Sequence, residues 1–273
     1  MRSKELYPAI FSRHAEAYER RLEQIMGRGE ALGRQRAIDL VEAKPGMRVI
    51  DLACGPGNLT ARVAPLVLPG GAVVGVDLAP GMIERARRRS IAGATFEVMD
   101  IEQLDFADAY FDAALCGHGL QFVPELGRAL SEARRVLHAG ARFAASVPVG
   151  NPNQGIQDLL EAVIGRHLPP APRPADQDET RRTVSDPNAL MAAARAAGFG
   201  SARVESIEEK VVWRSAEELV AMCSSWWDCA ARMEGLSEEA RTAFAEDAIA
   251  SLSRAHPGAI ETSALTLVLF AIA

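Results

Sequence analysis

The chain has 273 residues, 48% of them hydrophobic, and a formal net charge of −6. This composition supplies enough apolar side chains for a sizeable core, so the length fits one large domain or one domain with covering segments. A nucleic-acid-binding protein needs a basic patch, and the acidic balance argues against one. We therefore expect no nucleic-acid partner.

The four cysteines, Cys54, Cys116, Cys223 and Cys229, show no Cys-x-x-Cys spacing. Neither a metal site nor a disulfide framework is indicated by that pattern. No apolar run approaches the roughly 18 residues of a membrane-spanning helix, and no charged start precedes an apolar stretch. We expect reduced thiols, no bound metal, no membrane partner and a cytoplasmic location.

Residues 1–44 are predicted to be helical. Apolar side chains recur at three- and four-residue steps, which is typical of one amphipathic helix: Phe11, Ala15, Tyr18, Leu22 and Ile25. A second helix covers about Gly33 to Val41 and ends before Pro45. Such a segment could cover a ligand site or only shield an edge of the core.

A strand, a glycine turn and a helix start follow one another between Met47 and Ala64. The run from Val49 to Leu52 is apolar and β-branched, as in a buried strand. It breaks at Gly55-Pro56-Gly57, and apolar residues then return at helical spacing. This is the first half of a nucleotide-binding βα unit, where glycines let the backbone approach a ligand.

Two acids flank this unit. Asp51 precedes the turn, and no Gly-x-Gly-x-x-Gly spacing follows, so a positively charged ligand fits better than a pyrophosphate. Asp77 ends the next strand about 20 residues after the glycines, the spacing at which a carboxylate receives ribose hydroxyls.

Strands and helices alternate through residues 47–148, which predicts a parallel sheet with helices on both faces. The strands fall near 48–52, 72–77, 94–99, 111–116 and 141–147, and the helices near 58–67, 80–90 and 124–137. Beyond them we predict a loop at 150–153, a short helix around 159–164, a proline-rich stretch at 168–174, a helix at 187–197, a strand at 201–213, helices within 215–256 and a strand at 263–273.

Five blocks in this order resemble the class I S-adenosylmethionine-dependent methyltransferases of the small-molecule type: residues 49–57, 74–82, 100–101, 111–117 and 133–140. The resemblance covers roughly residues 45–148. It implies an α/β fold with a Rossmann-like, seven-stranded, mostly parallel sheet of order 3-2-1-4-5-7-6 and helical lid insertions. The last two strands would form its antiparallel pair.

With that resemblance, four segments are expected: a helical lid at 1–44, a cofactor-binding core at 45–149, a lid or substrate insertion at 150–200, and the last two strands at 201–273. A helical insertion would occupy about 215–256 of the last segment.

The resemblance also implies S-adenosyl-L-methionine as cofactor, with S-adenosyl-L-homocysteine as product. The implied cofactor-binding positions are Asp51, Ala53, Cys54, Gly55, Gly57, Asp77, Leu78, Met82, Asp100, Ile101, Cys116 and Gly117. The backbone at Ala53, Cys54, Gly55 and Gly57 would pass beside the amino-acid end, with Asp51 ordering the loop, and Asp77 would take the ribose hydroxyls. Leu78 and Met82 would sandwich the adenine, the following pair would contact its edge, and the strand end at Cys116 would accept from the ammonium. A plain turn, a helix N-cap, a core methionine and a solvated loop are the structural alternatives.

No obvious general base follows the fourth strand. Related O-methyltransferases often carry a His-His pair there, and the matching positions here look like Gln121-Phe122. His118 is the nearest replacement, as a base, as an acceptor-orienting group, or as a structural histidine. Gln121 could orient an acceptor by hydrogen bonds or cap a helix.

Candidate acceptor-binding residues are Tyr18, His118, Phe122, Met222, Trp226 and Trp227, although packing of a lid on the core explains them equally well. We hypothesise methyl transfer by in-line displacement to an O, N or C atom of a small, largely apolar metabolite, such as a natural product or quinone-like compound. The protein would act as a monomer or homodimer. The alternatives are an RNA or protein methyltransferase, a non-methylating enzyme such as a cyclase on the same scaffold, and a binding module without catalysis.

Overall fold

The computed structural model describes residues 1–150 and 154–273, in which a seven-stranded sheet has the order β3-β2-β1-β4-β5-β7-β6. The strands are β1 Arg48–Leu52, β2 Ala72–Asp77, β3 Ala94–Val98, β4 Phe111–Gly117, β5 Leu137–Gly150, β6 Ser201–Trp213 and β7 Ile260–Ile272. β1 to β5 pair in parallel, and β7 pairs antiparallel with both β5 and β6. The predicted fold class and strand order are confirmed.

Helices cover both faces of the sheet. Their bounds are α1 Ser3–Arg13, α2 Ala15–Gly27, α3 Leu32–Val41, α4 Thr60–Val67, α5 Pro80–Arg88, α6 Leu126–Val136, α7 Gln154–His167, α8 Asp178–Ser185, α9 Pro187–Ala196, α10 Ala216–Ser224, α11 Trp227–Met233 and α12 Glu238–Ala255, with a 3-10 turn at Leu120–Phe122. Within β1, Val49 faces the cluster that contains Val63 of α4, while Ile50 faces the cluster that contains Leu130 of α6. Alternating side chains of one strand therefore pack into two apolar layers.

Most predicted elements agree with the structure to within a few residues, and β6 agrees at both ends. The β5 strand starts at Leu137 instead of 141, because Leu137 already pairs with Phe111 of β4 directly after α6. The last strand likewise starts earlier, at Ile260, which pairs with Trp213. Helix α8 was not predicted, and the predicted loop at 150–153 lies outside the described residues except for Gly150.

The N-terminal prediction of one helix was wrong. The helix is interrupted at His14, whose backbone angles are not helical, so Phe11 lies on α1 and Tyr18 on α2. Helix α1 also begins at Ser3, with Tyr7 and Ile10 buried. The two helices can then meet different parts of the molecule.

Within residues 1–150 and 154–273, no helix is both long enough and apolar enough to cross a bilayer. The predicted cytoplasmic location, oligomeric state and domain boundaries stay predictions.

Candidate functional site

The main cavity lies at the carboxyl edge of the parallel strands, where open α/β sheets place their ligands. Its lining comes from the turns after β1, β2, β3 and β4 and from the N-terminal helices: Ala53, Gly55, Asp77, Leu78, Ala79, Met82, Met99, Asp100, Ile101, Gly117, His118, Gly119, Phe122, Val123 and Pro124, with Ser3, Lys4, Tyr7, Pro8 and Phe11 of α1 and Tyr18 of α2. We call it the cofactor cavity.

The two glycines of the first turn have different tasks. Both have positive φ angles, +56° at Gly55 and +78° at Gly57. A Cβ at Gly57 would lie 3.0 Å from the ring of Phe96, so this glycine is required by packing beneath the loop. A Cβ at Gly55 would meet only the Tyr18 ring, at 3.8 Å, and Gly55 lines the cavity. Gly55 therefore brings bare backbone to the wall of the cavity.

Asp77 is held in place by backbone donors. Its Oδ2 accepts from the Gly55 N–H at 2.9 Å, and its Oδ1 accepts from the Ala79 N–H at 2.8 Å. Burial raises the pKa of Asp77, and these two hydrogen bonds oppose the rise. Each oxygen keeps a free lone pair, and the residue lines the cavity. This geometry suits a pair of vicinal hydroxyls.

Asp51 lies behind the loop and does not line the cavity. Only 1% of the residue is exposed, and its Oδ2 accepts from the Thr60 hydroxyl at 2.6 Å. Its Oδ1 has no hydrogen-bond partner among the described residues. Burial raises the pKa of Asp51 to about 7, against the effect of the Thr60 hydrogen bonds. The predicted loop-ordering role is compatible with this contact, but direct contact with a cationic ligand is not.

Eight of the predicted cofactor positions line the cavity: Ala53, Gly55, Asp77, Leu78, Met82, Asp100, Ile101 and Gly117. Asp51, Cys54, Gly57 and Cys116 do not. The Cys54 N–H donates to the Val76 carbonyl at 2.9 Å, so it is not free for a ligand. Cys116 is fully buried in the sheet core, and burial raises the pKa of its thiol to about 12. Both cysteines support the loop and strand ends from below.

Helix α1 closes one side of the cofactor cavity. From the sequence alone, this segment could either cover a ligand site or only shield an edge of the core. Lys4 pairs with Asp100 at 2.6 Å, a cation beside the residue expected at the adenine edge. At its other end α1 packs on α5 so closely that a Cβ at Gly81 would lie 2.6 Å from the Ser12 carbonyl oxygen. The Gly81 N–H also donates to the Ser12 hydroxyl at 3.1 Å. The N-terminal segment therefore covers the site, while its action as a lid stays a prediction.

A second cavity adjoins the first and shares Phe11, Tyr18, His118 and Phe122 with it. Its remaining lining is Arg21, Arg34, Gln121, Pro148, Val149, Arg181, Val184, Ser185 and Trp227. We call it the acceptor cavity. Four predicted acceptor residues lie here: Tyr18, His118, Phe122 and Trp227.

Met222 and Trp226 lie elsewhere. Met222 is buried in the apolar cluster that α7, α10 and α12 form against the ends of β6 and β7, and Trp226 packs on the same cluster. Neither lines the acceptor cavity, because both side chains are used in packing these helices. For these two residues the structural alternative holds.

His118 stands between the two cavities in a left-handed backbone conformation, with φ of +60°. Its N–H donates to the Ser146 carbonyl at 2.9 Å, and its Nε2 is buried without a partner in the described part of the chain. Burial, with Arg34 and Arg21 nearby, holds the pKa of His118 well below its usual range. The ring is therefore neutral near pH 7 and a weak base.

Gln121 supports this turn. Its Nε2 donates to the His118 carbonyl at 2.8 Å, and its Oε1 is buried without a hydrogen-bond partner among the described residues. One end of the amide thus holds the turn, and the other end makes no hydrogen bond within the described residues.

Comparison with known proteins agrees with this arrangement. Residues 50–145 match the family described as a methyltransferase domain. The 2-phytyl-1,4-naphtoquinone methyltransferase of Trichormus variabilis is 36% identical over 141 residues, which is 50% of this chain and 62% of the relative. The demethylmenaquinone methyltransferase of Symbiobacterium thermophilum is 35% identical over 140 residues, 49% of this chain and 55% of the relative. The chain thus spans only part of the length of these curated relatives.

Among solved structures, phosphoethanolamine N-methyltransferase 2 of Haemonchus contortus, in complex with S-adenosyl-L-methionine, has a similar fold with a TM-score of 0.52 and 16% identity. The similarity covers 88% of this chain and 51% of that chain. In the described residues, no group of three or more His, Cys, Asp or Glu side chains could hold a metal ion. The strand order shows a Rossmann-like fold, and residues 50–145 of this chain are similar to a methyltransferase domain.

Proposed function

We propose that the protein transfers a methyl group from S-adenosyl-L-methionine to an O, N or C atom of a small molecule. The observation that carries the proposal is the pair of adjoining cavities, one bordered by the fixed carboxylate of Asp77 and both bordered by His118. A donor and an acceptor held in these two cavities would meet at the shared wall. Holding them in line supplies much of the rate of such a transfer.

The cofactor cavity fits the cofactor by its chemistry. Asp77 would bind the ribose hydroxyls through its two free lone pairs, by charge-assisted hydrogen bonds. The backbone at Gly55 and the strand end at Gly117 would face the amino-acid end. Leu78 and Met82 would pack on the adenine, with Asp100 and Ile101 beside its edge.

When bound, the sulfonium of S-adenosyl-L-methionine supplies a methyl group that is already activated for displacement. The chain's own residues then have to position the acceptor and exclude water. A neutral His118 with a free Nε2 can hold an acceptor hydroxyl or amine in line, and we assign it this orienting role rather than that of a strong base. Gln121 would assist through its free Oε1.

Calorimetric titration with S-adenosyl-L-methionine and S-adenosyl-L-homocysteine tests the proposal, with NAD as the control ligand. We expect micromolar binding of the first two, near −8 kcal/mol, and none of NAD. Asp77→Ala should weaken binding at least about 100-fold, since two charge-assisted hydrogen bonds are lost. Asp105→Ala, an exposed acid in a nearby turn, should leave the affinity unchanged. Wild-type affinity in Asp77→Ala would overturn the assignment of the site.

An assay that omits the methyl donor separates this proposal from a non-methylating enzyme on the same scaffold. Product formation that continues without the donor would favour the non-methylating reaction. Salt-sensitive methylation of bulk RNA would favour the nucleic-acid alternative.

A further inference from the structure

The acceptor cavity contains three arginines, which come from three different helices. They are Arg21 of α2, Arg34 of α3 and Arg181 of α8. Arg181 is occupied, since it donates to the Tyr7 hydroxyl at 2.8 Å and to the Gln177 side chain at 3.1 Å. The other two carry the argument.

Arg34 is buried and Arg21 is partly buried, and both make few contacts. The Cζ atom of Arg21 lies 4.9 Å from the centroid of the Tyr18 ring. Arg21 donates from Nη1 to the Ser225 carbonyl at 3.0 Å. Arg34, which is 9% exposed, reaches only the Tyr18 hydroxyl, at the long distance of 3.5 Å, and its Nε is buried without a partner in the described chain. By contrast, Arg36 on the same helix as Arg34 binds Glu205 at 2.7 Å. Within residues 1–150 and 154–273, no carboxylate lies within ion-pair distance of Arg21 or Arg34.

The electrostatics show that the two guanidinium groups act on the same space. Burial lowers the pKa of Arg21 to about 10; Tyr18, Cys223 and Asp228 oppose this change, and the charge of Arg34 adds to it. Both arginines also lower the pKa of His118. Two positive charges without an ion-pair partner next to one cavity are unfavourable unless a negative charge is supplied there.

We propose that the methyl acceptor carries an anionic group, a carboxylate or a phosphate, which Arg21 and Arg34 bind. The guanidinium fork matches both groups by paired hydrogen bonds. This inference rests on the proposed function and specifies the class of its acceptor.

Aromatic side chains also line the acceptor cavity. The Phe122 ring lies 5.2 Å from Phe11 and 6.0 Å from Trp227, measured between ring centroids. An apolar body would pack on these rings, with its anionic group toward the arginines and its reacting atom toward His118. The largely apolar acceptor expected from the sequence is thereby narrowed to an amphiphilic acid.

Titration with simple probes tests this pocket. The probes are benzoate and phenyl phosphate, with benzamide and benzyl alcohol as neutral counterparts, each titrated with and without saturating S-adenosyl-L-homocysteine. At least one anion should bind at least about tenfold more tightly than its neutral counterpart, and the preferred anion distinguishes a carboxylate from a phosphate. Equal binding of charged and neutral probes, or no binding of either anion at millimolar concentration, would overturn the proposal.

Variants separate a binding role from a structural one. Arg34→Met should weaken anion binding at least about tenfold and leave the melting temperature equal or higher, because it removes an unpaired buried charge. Arg36→Met, the matched control, should leave anion binding unchanged. A lower melting temperature together with unchanged anion binding in Arg34→Met would show a structural arginine and overturn the proposal.

The affinity for S-adenosyl-L-homocysteine, measured on the same samples, keeps the two proposals apart. Neither Arg34 nor Arg36 lines the cofactor cavity, so Arg34→Met and Arg36→Met should both retain wild-type affinity for S-adenosyl-L-homocysteine. A wild type that binds the anions but no S-adenosyl-L-homocysteine would contradict the proposed function and leave the anion site standing.

Discussion

The two cavities are built in different ways. The cofactor cavity is mainly a product of backbone: strand ends, a glycine turn, and a carboxylate fixed by the N–H groups of Gly55 and Ala79. The acceptor cavity is a product of side chains that come from helices far apart in sequence, such as Arg34 of α3 and Trp227 of α11. Substitutions in the cofactor cavity should therefore change both the stability of the fold and the affinity for the ligand. Substitutions in the acceptor cavity should change the affinity for the ligand alone.

The sharpest test of the first half of this comparison is Asp51→Asn. Burial raises the pKa of Asp51 to about 7, whereas an unfolded aspartate titrates near 4. An acid whose folded-state pKa is raised stabilises the fold fully below about pH 4, and that contribution is lost as the pH rises through about 7. Up to about 4 kcal/mol of unfolding free energy should be lost in this window.

Asparagine keeps an acceptor for the Thr60 hydroxyl and cannot ionise, so Asp51→Asn should flatten this part of the pH profile. Urea unfolding between about pH 3 and about pH 8 measures the effect, because this range brackets both pKa values. Asp108→Asn, a residue whose side chain is 78% exposed, is the control and should follow the wild type. Parallel profiles for wild type and Asp51→Asn would contradict the prediction.

The next largest effect should separate the two glycines of the turn. Gly57→Ala adds a methyl group 3.0 Å from the Phe96 ring at a positive φ, so we expect a loss of about 2–4 kcal/mol of unfolding free energy. Gly55→Ala shares only the backbone strain, about 1–2 kcal/mol, but should weaken cofactor binding more. Thermal unfolding and cofactor titration of both variants measure this difference. Equal losses of stability would show that Gly57 has no special packing role.

The shared wall is tested by His118→Ala. We expect turnover to fall about tenfold, about 1.4 kcal/mol in the barrier, since an orienting contact is lost. Because the pKa of His118 lies well below its usual range, the wild-type profile of kcat against pH should show no inflection from this residue near pH 6.5. An inflection there that disappears in His118→Ala would restore the role of general base.

The smallest effect on cofactor binding is expected from Lys4→Met, which changes one of the side chains that line the cofactor cavity. The Lys4 and Asp100 side chains are 36% and 27% exposed, so this ion pair should contribute below about 1 kcal/mol. The second partner of Lys4, the buried Glu102, does not line the cofactor cavity, so its loss should act on stability rather than on the cofactor. Cofactor affinity should change less than about threefold. Lys210→Met removes an exposed pair with Glu261 and serves as the control. A loss of cofactor binding in Lys4→Met alone would mean that this lysine contacts the ligand.

How much the sequence predicts follows the same division. Asp77 and Gly55 could be found because strand ends and turn glycines carry local patterns that fix their places at the sheet edge. The helix that contains Tyr7 also has a local pattern, the apolar spacing of Leu6, Tyr7 and Ile10.

Arg21 and Arg34 had no such pattern. Their importance lies in the lack of an acid within reach, and only the folded chain shows which residues are within reach. Cys54 and Gly57 belong to the predicted motif, yet in the structure Cys54 hydrogen-bonds to the neighbouring strand and Gly57 packs on Phe96 beneath the loop. A motif therefore identifies a loop more reliably than it assigns a task to each residue.

The position of α1 has a consequence for the order in which the molecule is completed. Helix α1 precedes the sheet in sequence, but Arg13 and His14 bind Glu234, 221 and 220 positions further along the chain. The ring of Tyr7 likewise lies 5.1 Å from that of Trp227. Contacts of such long sequence separation form late, because their loop entropy is lost before they contribute. The wall that α1 adds to the site is thus complete only when the segment around α11 has folded against it.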